Sequence, residues 1–365
     1  MDRISELPQG ILHHILSFLS QKQAVQTCVL SKSWRYVWST RPKIDFYEHC
    51  FYGNRETFMF ALDKTLQGYH DQKLYIQEFR VWMSIVDPKS ISLLEKWIPK
   101  IVIDMRVKTF KLYLHSNKRE YFDLPSVVFK AESLQKLYMH RCKLSQNPLD
   151  KVLFKHLQTL SLTLVYIVDE TFEKIMSSCP LIENLFLESC KGLKTIKVNK
   201  GCNLKDFVWL IDGDGDDCSV EFNTPTLETI KFIGIVNWFH RHNKYFPHLK
   251  SLYLSKVRLA SWSSDMFSCN YMPTLEELTI RYCFDFKEFQ LSNNSIKNLT
   301  IASLQDPTNK FVIDAPNIVK FDYVGYISPS IVFATTSSEW KSDICVCYDV
   351  DFDDNDASSS WFFKI

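Results

Sequence analysis

The sequence predicts a mixed α/β protein: a small N-terminal group of three helices, then an irregular solenoid whose repeats each contribute one parallel strand. Three observations carry this. Residues 7–38 hold three short amphipathic patterns separated by cap residues. From residue 76 onward the unit apolar-x-x-apolar-x-apolar recurs eleven times, with starts roughly 21 to 31 residues apart. The 365 residues are 46% hydrophobic and 23% charged, which is the balance of a chain that buries a core.

The helical stretch reads LPQGILHHILSFLSQKQAVQTCVLSKSWRYVW. Pro8 suits a first helical turn, where its missing N–H costs little. Ile11, Leu12, Ile15, Leu16 and Leu19 recur at three- and four-residue steps and form one stripe. Ser20 with Gln23 reads as a capping box for a second helix bearing Ala24, Val25, Cys28 and Val29. Ser31 can cap a third, bearing Trp34, Val37 and Trp38. Helices this short cannot bury all of that surface among themselves. The excess must face the rest of the chain or a partner.

These residues resemble a known family. The pattern LPxxILxxILSFL followed by AVxTxxLSKxWRxxW is similar to the plant F-box, over about forty residues, and is too dense to be a chance short motif. The resemblance implies docking onto the Skp-type adaptor of a cullin ubiquitin ligase. It places Leu7, Pro8, Ile11, Leu12, Ile15 and Leu16 on the adaptor side of the first helix. Val29, Leu30, Trp34 and Trp38 would complete the surface. Gly10 departs from the family, which usually has a polar or acidic residue there. Gln26 and Ser33 stand where plant members often carry Arg. A helical Gly costs up to ~1 kcal/mol relative to Ala.

Residues 43–73 read as a junction. RPKIDF is a short extended piece, and Arg55 to Gly68 has helical spacing through Phe58, Leu62 and Leu66. The repeats then begin. Their apolar positions run from Ile76-Phe79-Val81 and Val107-Phe110-Leu112 to Ile296-Leu299-Ile301 and Ile318-Phe321-Tyr323. The apolar-x-apolar pair alternates as a strand does, so both residues enter one core. Stacked units form a parallel sheet on the concave side of an arc, each burying its face against its neighbours. The return segment Asp169 to Ser178 is predicted helical, with Phe172, Ile175 and Met176 inward and a stop at Cys179-Pro180. CPLIENLFLESC and DAPNIVKFDY resemble the leucine-rich repeats of plant F-box proteins. In that family an FBD region often follows, and here it is expected to be absent or cut off. Ser342 to Tyr348 is expected to add a last strand. Trp361-Phe362-Phe363 has no obvious place in the scheme: it either folds back as a partial cap or marks the start of a missing module, and the remnant is the expectation. The expected division is 1–42 F-box, 43–73 helical junction, 74–348 repeats and 349–365 acidic tail.

Composition narrows the function. A net charge of +1 gives no electrostatic case for nucleic acid or an anionic membrane. No apolar run is long enough to span a bilayer, and MDRISELPQG has no signal-peptide pattern. An odd number of cysteines, eleven, then argues for reduced thiols in the cytoplasm or nucleus. The sequons at Asn293 and Asn298 become incidental. Cys142, Cys190 and Cys283 hold equivalent repeat positions and read as small apolar fillers. Cys345-x-Cys347 and His240-x-His242 lack ligand partners. The acidic runs at Asp212–Asp217 and Asp349–Asp354 miss the Gly at the sixth position and the Glu at the twelfth that a calcium loop needs. No nucleophile–base motif is present. No cofactor, metal or catalytic residue is expected, and the chain is not read as an enzyme.

The candidate target-binding residues project from the strands and the positions just after them: Tyr138, His140, Arg141, Phe186, Glu188, Tyr253, Lys256, Arg281 and Tyr282. By resemblance, the chain is a substrate adaptor of a Skp–cullin–F-box (SCF) ligase. Two alternatives stand beside it: a ligand-dependent receptor of the hormone type, and a repeat scaffold that recruits no ligase.

Overall fold

The computed structural model describes residues 4, 6–19, 21–85, 87–116, 121–144, 152–198, 203–211, 219–235, 237–238, 245–259, 267–284, 288–302, 310–325, 330–335, 341–346 and 362–363. N-terminal helices are followed by a parallel-strand β-solenoid. The chain forms two compact units, one of Met1–Ile182 with Cys190–Gly192, the other of Glu183–Ser189 with Leu193–Ile365.

In the first unit, helices α1 (Gln9–Ser17), α2 (Gln21–Gln26) and α3 (Lys32–Ser39) close on Leu12, Leu16, Ala24, Trp34 and Val37. Pro8 sits one position earlier than expected, as the residue before the helix, with φ −55° and ψ 144°. The Ser31 hydroxyl accepts from the Trp34 N–H at 3.3 Å, as its cap role requires. Ser20, the expected cap of α2, lies outside the described residues.

The sheet starts earlier than the repeat motif does. Strand β1 (Lys43–Tyr47) runs through RPKIDF and pairs in parallel with β2 (Glu78–Ser84), Ile44 opposite Phe79 and Phe46 opposite Val81. The reason it escapes the motif is Arg41. It holds the place where later repeats carry their leading apolar residue, yet it is only 5% exposed. Burial lowers its pKa. The Tyr69 hydroxyl donates to its carbonyl at 2.8 Å, and burial pushes that phenol up to about 12.

Helix α4 (Arg55–Asp71) is capped by Asn54 and buries Phe58, Leu62, Leu66 and Tyr69. Helix α5 (Pro88–Pro99) starts at Asp87, which accepts from Ser90 N–H, with Pro in the first turn. Arg55 ties these parts together. It bonds Glu48, the Ser84 carbonyl at 2.6 Å and the Ser90 hydroxyl at 2.9 Å. Strands β3 (Thr109–His115), β4 (Phe122–Leu124), β5 (Lys136–His140), β6 (Cys142–Leu144) and β7 (Thr159–Thr163) follow. The main sheet of this unit runs β1-β2-β3-β5-β7, all parallel, and β4 pairs with β6. The predicted return helix is α6 (Asp169–Ser177), with Phe172, Ile175 and Met176 buried.

The second unit contains β8 (Asn184–Glu188), β9 (Thr195–Val198), β10 (Asp206–Leu210), β11 (Ser219–Phe222), β12 (Thr229–Ile233), β13 (Asn237–Trp238), β14 (Ser251–Ser255) and β15 (Glu277–Arg281). It continues with β16 (Glu288–Ser292), β17 (Asn298–Ala302), β18 (Lys310–Asp314), β19 (Lys320–Gly325), β20 (Ser330–Thr335), β21 (Lys341–Val346) and β22 (Phe362–Phe363). Its main parallel sheet runs β8-β10-β12-β14-β15-β17-β19-β21. Return strands make two smaller parallel sheets, β9-β11-β13 and β16-β18-β20. Strand β21 is the expected addition over the Phe321-Tyr323 repeat. The terminal Phe pair differs from the loose remnant expected: the backbone of β22 lies antiparallel against β21, Phe363 opposite Ile344. An unpaired strand edge favours such a partner.

Many of the described repeats share one build. The strand apolar pairs, such as Leu137 and Met139 or Leu252 and Leu254, are buried. At the start of each strand one carbonyl accepts two successive N–H groups, for example Gln135 O from Gln158 and Thr159, or Lys250 O from Glu276 and Glu277. Just past six of the strands comes a left-handed residue: Arg141, Leu164, Ser189, Gly234, Lys256 and Tyr282. Its N–H reaches a carbonyl of the next strand, as Lys256 does to Arg281 at 3.0 Å. Gly234 alone needs to be Gly, because a Cβ there would sit 2.6 Å from the Ile211 carbonyl oxygen.

The next residue in turn is where Cys142, Cys190 and Cys283 fall. Their thiols donate to backbone carbonyls at 3.5, 3.3 and 3.4 Å. Burial raises the Cys142 pKa and pushes Cys283 up to about 11, so both stay protonated. Asn293 of the first sequon is wholly buried, its amide donating to Phe267 O and Met272 O, both at 2.9 Å. The acidic runs, the His240–His242 pair and Cys347 lie outside the described residues.

Candidate functional site

The helices present one candidate surface. Their stripe divides. Leu12, Leu16 and Trp34 are used up in the internal core, with Ile15 and Trp38 packed against it. Leu7, Pro8, Ile11, Val29 and Leu30 face outward, with Ile11 48%, Leu30 60% and Val29 87% exposed. So the residues named from the family pattern form two layers: an exposed apolar set, and a buried set that holds it in place. Single exposed apolar residues are ordinary; five of them on one small helical module whose core is already filled are more than that. His13 fixes the relation of α1 to α3 by reaching Val37 O at 3.1 Å and Thr40 Oγ1 at 3.2 Å. Around Gly10 there is open space, so a side chain there would meet nothing within 4 Å.

The solvent side of the first unit's sheet is a second candidate. Alternation places every second strand residue there. Register then aligns them in rows. One row is Asp45, Arg80, Lys111, Tyr138 and Ser161; the next is Tyr47, Trp82, Tyr113, His140 and Thr163. Beside the first row, Glu78 at the start of β2 serves two of its cations, Arg80 and Lys111, each at 2.9 Å. Burial alone would raise the Glu78 pKa, but Lys111, Lys43 and Arg80 hold it below the usual carboxylate range. Arg80 also donates to the Tyr47 hydroxyl at 2.7 Å. In the second row Trp82 stacks on Tyr113 with centroids 5.7 Å apart, and Tyr113 lies 6.4 Å from His140.

The target-binding residues read from sequence are distributed as follows. Tyr138 and His140 belong to these rows, and Lys111 sits over the Tyr138 ring at 5.0 Å. Arg141 is the left-handed residue after β5 and donates to Ser116 O at 3.1 Å. Phe186, Glu188, Tyr253, Lys256, Arg281 and Tyr282 lie in the second unit. There Phe186 and Tyr253 share a row, Glu188 and Arg281 share another, and Lys256 and Tyr282 are turn residues. Tyr47, Trp82 and Tyr113 were not singled out from the sequence. Each directly follows the second apolar residue of its strand, which was the available signal.

A cavity of about 700 Å³ also opens between α2, α3, β1 and α4, lined by Val25, Trp38, Phe46, Phe51 and Ala61 among others. Among the described residues no group of three or more His, Cys, Asp or Glu side chains could hold a metal ion. Nor is any helix among them long and apolar enough to cross a membrane.

These features agree with what the chain is similar to. The F-box domain family matches residues 4–45. The family described as the LRR repeats of FBD-associated F-box protein At5g56370 matches residues 94–237. In Arabidopsis thaliana, F-box/LRR-repeat protein 25 is 31% identical over 208 residues, covering 56% of this chain and 74% of that protein. Putative F-box protein At1g49610 is 31% identical over 276 residues, covering 74% of this chain and 65% of that protein. F-box/LRR-repeat protein At3g03360 is 33% identical over 212 residues, covering 56% of this chain and 42% of that protein. The match thus spans less than two thirds of the latter two relatives. Helical module and repeat sheet together define an F-box protein with leucine-rich repeats. The chain belongs to the F-box/LRR-repeat family.

Proposed function

We propose that the chain is a substrate-recognition adaptor of an SCF-type E3 ubiquitin ligase, with the helices docking a Skp-type adaptor and the repeats holding a target. The observation that carries it is the exposed apolar set Leu7, Ile11, Val29 and Leu30 beside a helical core that is already complete. Burying each of these side chains against a partner supplies roughly 1.5–3 kcal/mol. Leu12, Leu16 and Trp34 act from beneath by fixing their positions. On this reading the chain does no bond chemistry. Through the adaptor and a cullin it holds the target near a ubiquitin-charged enzyme, raising the local concentration.

The test is adaptor binding by calorimetry with Leu7→Ala, Ile11→Ala. The double variant removes exposed groups, so the melting temperature should stay within about a degree or two, as for surface changes. Affinity should fall at least tenfold, which is about 1.4 kcal/mol. Undiminished adaptor affinity would overturn the ligase reading.

A further inference from the structure

The first unit's sheet carries an aromatic row and a charged row side by side, and their composition specifies a partner. Tyr47, Trp82, Tyr113 and His140 follow one another across four adjacent strands in a single register. Trp82 is 50% exposed although it is stacked on Tyr113. Beside them the outward charges are Lys43, Arg80, Lys111 and Lys136 against Asp45 and Glu78. Both carboxylates are already engaged, Asp45 by Lys43 at 3.7 Å and Glu78 by two cations. The face therefore sets four cations against two carboxylates, and Asp45, the less engaged of the two, is only 8% exposed.

Resting on the adaptor reading above, we propose that this face is the target-recognition surface and takes an extended acidic segment bearing aromatic side chains. Its carboxylates meet the excess cations, and its rings stack beside Trp82. Single-stranded nucleic acid also uses aromatic and basic groups. It is disfavoured because the whole chain carries a net charge of only +1.

The experiment uses the full chain and fluorescein-labelled peptides of alternating Glu-Tyr, Lys-Tyr and Ser-Tyr, with oligo-dT as a fourth probe, read by anisotropy. The Glu-Tyr peptide should bind at least tenfold tighter than the Lys-Tyr peptide and weaken as salt rises. Trp82→Ala and Lys136→Glu should each reduce its binding at least threefold. Both should stay cooperatively folded and leave adaptor affinity unchanged, with Trp82→Ala melting slightly lower because its stack on Tyr113 is lost. Equal affinity for the Glu-Tyr and Lys-Tyr peptides, or tighter binding of oligo-dT, would overturn the proposal. So would unaltered peptide binding by folded Trp82→Ala. Leu7→Ala, Ile11→Ala should bind the Glu-Tyr peptide normally, so failure of the adaptor reading is read separately.

Discussion

The two units share one repeat geometry and use charge differently. In the first, ionic groups occupy the outward rows of the sheet, where Glu78 clasps Arg80 and Lys111. In the second, they gather where the strands begin. Glu183 meets Lys205 at 3.5 Å, Glu228 meets Lys250 at 2.7 Å and Glu276 meets Lys297 at 3.0 Å. The sign alternates from one repeat to the next, so each pair ties neighbouring turns. The outward rows of the second unit also carry charges, Asp206, Lys231, Glu277 and Arg281 among them, interspersed with Thr229, Ser251, Thr279 and Thr300. What separates the units is the strand-start position, where the second unit's pairs join repeats, while the first unit's clasp around Glu78 lies on the sheet face itself.

The largest expected effect tests whether the two units are alike underneath. Leu112 and Leu254 are both fully buried strand residues. Each Leu→Ala should cost about 2–5 kcal/mol in denaturant unfolding, and Leu185→Ala the same. Phe186→Ala, on the outward row beside Leu185, should cost much less. Equal losses at Leu185 and Phe186 would contradict the strand phase. A core penalty confined to one unit would end the comparison at its root.

A smaller effect should separate the units. Glu78→Gln leaves Arg80 and Lys111 sharing a partly buried site without their carboxylate, at a cost of about 1–3 kcal/mol. Glu277→Gln, on an exposed outward position of β15, should stay within about 0.5 kcal/mol. Matching losses would show that the clasp around Glu78 is no different from an ordinary surface carboxylate.

The repeat strands and the helical module were legible because apolar spacing alone dictates them. Leu12 and Leu16 could be placed on a helix, and Phe79 and Val81 in a core, from period. What period does not show is register between strands separated by variable returns. Tyr47, Trp82, Tyr113 and His140 are unevenly spaced in sequence, so their common row emerges only when the strands are aligned on their apolar pairs. Strand β1 was legible as an extended piece but not as part of the repeat sheet, because buried Arg41 replaces an apolar residue. Helix α5 was signalled by Asp87-Pro88 with Ser90, a cap pattern that lies between two repeat strands and outside their period. The division of the F-box stripe into exposed and internal residues depends on how α1 packs on α3, which no single-helix pattern encodes.

Acid gives the finest distinction. In the folded first unit the Glu78 pKa lies below its ordinary value. Asp87 is lowered by its bonds from Ser90, and Asp63, against its burial, by bonds from Lys96 and Trp97. A depressed carboxylate binds its proton more readily in the unfolded chain. Its contribution is therefore complete above the unfolded pKa, about 3.9–4.3 for these residue types, and is lost as pH falls through the folded value. In the second unit Glu228 is lowered by Lys250, but that pair is fully exposed and screened by salt. Amide exchange at stepped pH, in low and high salt, resolves the two. On acidification below about pH 4, peptides covering 78–115 should lose protection at both salt concentrations. Those covering 228–254 should lose it more weakly, and in high salt hardly at all. Equal salt sensitivity in both sets would mean that the carboxylate clasp on the first unit's face is as solvated as the pairs that join the later repeats.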